Sequence, residues 1–141
     1  MKQVNGKAVE ALLLSETNKK VRAEDHAYEL KPISWYTKKP WLGLRKYFYV
    51  TAACDCEDFC TIFKYELLRR HLKRAEGGAD QGGTSYPALP VFQAKIQLVS
   101  GDNHWVLCIV ADDGVYFIER TEDSIRFVTK GNYKKIYRIH I

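Results

Sequence analysis

The sequence predicts an α+β fold: one long helix followed by a meander of about five antiparallel strands. Three observations carry that expectation. Glu57 to Arg74 places Phe59, Ile62, Phe63, Leu67 and Leu72 roughly on one helical face. From Phe92 onward, short apolar or alternating runs are separated by turn signals. Between them lies "EGGADQGGTSYPALP", Glu76 to Pro90, whose four glycines and two prolines mark a loop.

The helix has consistent ends. Asp55 can serve as its N-cap, with Glu57 and Asp58 in the first turn. Arg69, Arg70, Lys73 and Arg74 fill the last turn, and Gly77 follows. Acid at the start and base at the end suit the helix dipole. In the second half, "FQAKIQLV" alternates as a half-buried strand does, and "SGDN" is a turn. "HWVLCIVA" is almost wholly apolar, as a central strand should be. "DDG" reads as a hairpin turn; "VYFIER", "IRFVT" and "YKKIYRIHI" follow as strands, separated by "TEDS" and "KGN".

Residues 5 to 30 look weakly helical. Trp35, Tyr36, Trp41, Tyr47, Phe48 and Tyr49 make the following segment strongly aromatic. The expected layout is one domain over 1–141: an N-terminal helical and aromatic segment to residue 50, then a core from 51 to 141. A length of 141 residues supports one buried core without staples. The chain is 46% hydrophobic and 28% charged, which is globular rather than disordered composition. No signal peptide or membrane-spanning run is legible, so the expected setting is cytoplasmic and reducing. The net charge of +5 reads first as a solvated basic face and second as a nucleic-acid surface.

Three of the four cysteines crowd into "CDCEDFC", Cys54 to Cys60. A disulfide clip fits a reducing compartment poorly. A zinc site needs paired ligands two to four residues apart; Cys54-x-Cys56 is tighter, and His104 or Cys108 could complete a set only through the fold. The third reading is a reactive thiol. A thiol at a helix N-terminus meets unpaired N–H groups and the positive dipole end, which favour the thiolate. Cys56 occupies that position. His104, opening an apolar strand after a turn, could act as its base, and an acid further on, Glu119 or Asp123, could orient the imidazole. A simple hairpin turning at Asp113-Gly114 would set Cys108 across from Glu119 and His104 across from Asp123.

"CDCEDFCTIFKYELL", "HWVLCIV" and "GVYFIER" together resemble the bacterial transglutaminase-like cysteine proteinases, within the papain-like and transglutaminase-like superfamily. The resemblance spans Cys54 to Arg120. It implies a papain-like/transglutaminase-like core with the nucleophile helix packed on the sheet. It further implies a cysteine-dependent amide or peptide hydrolase, with acyl transfer as a variant. Cys56 would be the nucleophile and His104 the base. Glu119, standing where the family usually has Asp, would be the third member, with Asp123 as the alternative. The implied substrate is a protein or peptide, with no membrane partner and no cofactor. Some relatives bind calcium beside the nucleophile, so Asp55, Glu57 and Asp58 could hold a hard cation, although capping explains them as well. Two rival functions stand beside the hydrolase. One is a non-enzymatic transglutaminase-like binding or assembly module, for instance in a bacteriophage. The other is a basic nucleic-acid-binding domain that stacks bases on the aromatic segment.

Overall fold

The computed structural model describes residues 2–38, 56–76, 87–120 and 125–140. Ten elements follow in order: β1 (Lys2–Asn5), α1 (Gly6–Thr17), β2 (Ala27–Leu30), α2 (Ile33–Thr37), α3 (Cys56–Glu76), β3 (Val91–Leu98), β4 (Asn103–Ala111), β5 (Gly114–Arg120), β6 (Ile125–Phe127) and β7 (Tyr133–His140). β1 and β2 form a two-stranded antiparallel sheet; the other strands form one sheet in the order β6-β5-β4-β3-β7.

β4 is the central strand, and its composition follows from burial on both faces. Val106, Cys108 and Val110 join one core cluster, with Val9 and Leu13 of α1 and Tyr28 and Leu30 of β2. Leu107 and Ile109 point the other way and join Phe63 and Leu67 of α3, Tyr36 of α2 and Ile118 of β5. A strand buried on both sides reads as a continuous apolar run because neither parity meets water.

The fold class expected from sequence needs correction. Among the described residues the chain is mostly β: seven strands in two antiparallel sheets, with only three helices. It is not the papain-like/transglutaminase-like α+β core expected. The difference arises in residues 2–30, read as weakly helical. Helix is confined there to Gly6–Thr17, and four-residue strands stand on either side of it. Lys2–Asn5 is polar and Ala27–Leu30 short, so neither shows a strand period; they pair because the β-sheet register brings Val4 opposite Tyr28.

α1 is held by its ends. The Asn5 side chain accepts a hydrogen bond from the Ala8 N–H at 2.8 Å, and Asn18 closes the helix in the left-handed conformation at φ 58°. Gly6 is required at its start, since a Cβ there would lie 2.7 Å from the Asp25 carbonyl oxygen. On the other face, the Gln93 amide of β3 donates to the Thr61 hydroxyl of α3 at 3.2 Å, tying the helix to the sheet. The aromatic segment 41–49 and the loop 77–86 lie outside the described residues.

Candidate functional site: a thiol–imidazole–carboxylate cluster

Cys56 is the first described residue of α3. That places a half-buried thiol in the first turn, beside exposed Glu57 and Asp58. Asp55, the expected cap, lies outside the described residues, as do Cys54 and Asp123.

His104 is the second residue of β4 and Glu119 the sixth of β5. The hairpin joining these strands pairs Ala111 with Gly114, so its two-residue loop is Asp112-Asp113 rather than Asp113-Gly114. The register therefore moves by two, and Cys108 stands opposite Phe117. The ladder ends at Leu107 and Ile118. Continued past that point, it would set His104 across from 121, with Glu119 two residues short of it, within diagonal reach of a long side chain. There the His104 Nε2 and the Glu119 Oε2 form a hydrogen bond.

The imidazole is engaged from two sides. A hydrogen bond with Cys56, then the one with Glu119, outweigh the cost of burial and push His104 up to about 9. The charge on Cys56 also favours the imidazolium, as a thiolate would. Burial works to raise the Glu119 carboxyl. The hydrogen bond and charge of His104, followed by Arg126, outweigh it and hold that carboxyl below its usual range.

Arg126 was not anticipated. Its guanidinium lies 2.8 Å from Glu119 Oε1, leaving Oε2 to His104. The signal was available: with "TEDS" as the loop, Arg120 faces Ile125 and Glu119 faces Arg126. An acid and a base directly opposite on an antiparallel pair attract.

The remaining thiols sit in different surroundings. Cys60 is a full turn into α3 and 4% exposed; burial, then the Cys56 charge, push it up. Cys108 is fully buried under α1, and burial alone raises it. Both are unfavourable places for a thiolate. Cys56, Cys60 and Cys108 form no disulfide. Among the described residues no three His, Cys, Asp or Glu side chains converge as metal ligands.

No family model and no curated protein matches the chain. Solved structures do. One, described as "PSL1a-E64 complex", aligns with a TM-score of 0.70 and 22% identity, covering 99% of this chain and 51% of the other. A second is Polyporus squamosus lectin bound to the human-type influenza-binding epitope Neu5Aca2-6Galb1-4GlcNAc, with a TM-score of 0.70, 21% identity and coverage of 99% and 49%. The chain thus spans about half the length of the structures it matches. At this identity the likeness establishes the fold.

These neighbours correct the expectations drawn from "DCEDF". The likeness of fold found is to about half of a chain described as a lectin, not to the bacterial transglutaminase-like cysteine proteinases. The cysteine-dependent amide or peptide hydrolase is therefore set aside, with the labels thiol protease and papain-like. So are the protein or peptide substrate, the transglutaminase-like binding module and the nucleic-acid-binding domain. The physical reason is that "DCEDF" describes an acid-rich helix start carrying a thiol, a local arrangement that no single fold owns. No described helix is long and apolar enough to cross a membrane.

Proposed function

We propose that this chain is a glycan-recognition domain that carries a nucleophilic thiol centre. The glycan half of the reading is supported by the alignment of nearly the whole chain with part of a lectin that was solved bound to a sialylated trisaccharide. A panel of immobilised neutral and acidic glycans tests it: selective retention of the folded chain is expected, and no retention on any glycan contradicts it.

The chemical half is supported by one observation: His104 hydrogen-bonds with both Cys56 and Glu119. In this reading Cys56 is the nucleophile, His104 holds the proton as imidazolium, and Glu119 orients the ring. The thiolate would form a carbon–sulfur bond with an electrophilic carbon, and the proton on His104 would pass to the atom displaced. Amide hydrolysis is no part of the proposal. A reducing, cytoplasmic-type setting suits the centre, because Cys56 acts only as a free thiol. Intact mass after limiting alkylation tests this half: one adduct, located at Cys56, is expected, and adducts spread over several cysteines contradict it.

A further inference from the structure

A second site lies away from Cys56, where the end of α1 meets β5, β6 and β7. Two clefts adjoin there, of about 400 and 480 Å³. They share Glu16, Thr17, Lys130 and Tyr133 as walls, so they form one continuous groove. Its two halves differ in chemistry. One is aromatic: on the α1 face of the sheet Phe117 and Tyr133 line it with ring centroids 5.5 Å apart, edge to face, beside Val115 and Val128. The other is basic: Lys19, Lys130, Lys134 and Lys135 line it, with Glu16 as its one acid.

The basic half is built by fixed backbone. Thr17 Oγ1 donates to the Leu13 carbonyl at 2.6 Å and accepts from the Lys19 N–H at 3.2 Å, which sets the chain leaving α1. Across the groove, the Asn132 N–H donates to the Thr129 carbonyl at 2.8 Å, and the Asn132 Oδ1 accepts from the Thr129 hydroxyl at 3.0 Å. That turn projects Lys130. None of the four lysines makes an ion pair with a described acid. Four cations around one cleft repel each other unless an anion joins them.

Resting on the glycan reading above, we propose that this groove binds an acidic oligosaccharide. A pyranose ring would lie against Tyr133, and its sulfate or carboxylate would sit among Lys19, Lys130, Lys134 and Lys135. The aromatic half supplies an apolar face for ring C–H groups, and Glu16 can accept from sugar hydroxyls. Charge complementarity selects an acidic sugar over a neutral one.

Calorimetry on the full chain tests the proposal with four probes: a heparin-derived sulfated tetrasaccharide, sialyllactose, lactose and a short single-stranded oligonucleotide. Either acidic saccharide should bind at least about tenfold tighter than lactose, and added salt should weaken it. Binding of the first alone marks sulfate as the ligand group, and of the second alone marks carboxylate. The double variant K130A/K134A should weaken that binding at least about tenfold, while its circular dichroism and Cys56 alkylation stay unchanged. Y133L should weaken it by a salt-independent share. Unchanged binding by K130A/K134A, or lactose as tight as the acidic sugars, overturns the groove and leaves glycan recognition standing. No saccharide binding, with glycan panels also blank, removes both. An oligonucleotide as tight as the acidic saccharides overturns the choice of a sugar.

Discussion

The side chains of His104 and Glu119 meet beyond Leu107 and Ile118, the last residues that pair β4 with β5. Their backbones are held by the neighbouring strands instead, His104 paired with Ile96 of β3 and Glu119 with Arg126 of β6. Glu119 is pinned by Arg126 through one oxygen and engages His104 through the other.

Glu119→Gln keeps a hydrogen-bond acceptor but removes the charge. The His104 titration, near pH 9 in the native chain, should move down toward the ordinary 6.5. Histidine NMR signals followed from pH 5 to 10 check this. An unmoved midpoint would mean that Glu119 does not stabilise the imidazolium.

Arg126 is 64% exposed at its side chain, so its pairing is softened by solvent. Arg126→Gln should cost less than about 1 kcal/mol in urea unfolding. It should also let the Glu119 carboxyl rise, because the guanidinium helps to hold it down. The acid limb of the stability profile, read from unfolding midpoints between pH 3 and 6, should shift accordingly.

Stability should depend on pH with a defined sign. His104 is raised in the folded chain from 6.5 to about 9. Its contribution is therefore complete below pH 6.5 and lost as pH rises through 9. The loss is on the order of 3 kcal/mol at most, at about 1.4 kcal/mol per pH unit. Glu119 is lowered, so its contribution is present above its unfolded value and lost as pH falls. Thermal unfolding of wild type and His104→Ala from pH 5 to 10 measures this. The variant should lose the decline between 6.5 and 9.

The apolar face of α3 divides more sharply than its periodicity suggested. Leu67 is fully buried, whereas Leu72, placed on the same face, is 53% exposed. Leu67→Ala should cost about 2–5 kcal/mol, and Leu72→Ala well under about 1 kcal/mol. Urea unfolding at pH 7 distinguishes them; equal costs would contradict the packing of α3 on β4.

The elements of the second half were legible because their patterns are local. The apolar run 104–111 needs both faces covered, and "TEDS" and "DDG" punctuate the strands. The architecture was not legible, because it depends on Lys2–Asn5 finding Ala27–Leu30 across a helix. Four-residue strands carry too little period to be seen, and their pairing is a tertiary choice. At the site, Cys56 and His104 were legible as a helix start and a strand start. The hairpin register was not: moving the turn by one residue shifts the pairing by two, which decides how far Glu119 lies from His104. Arg126 was hidden only because the "TEDS" pairing was not carried one residue further.

The thiol centre is tested most directly by the order in which the cysteines react. Folded, pre-reduced protein is exposed to limiting iodoacetamide near pH 6.5, and peptide mass spectrometry follows each cysteine over time. Cys60 and Cys108 are buried and raised by that burial, whereas Cys56 combines a helix start with the His104 imidazole. Cys56 should be modified first, and His104→Ala should slow it by about tenfold or more, since the imidazolium that stabilises the thiolate is gone. Equal modification of Cys56, Cys60 and Cys108, or a Cys56 rate unchanged by His104→Ala, would contradict the thiol centre.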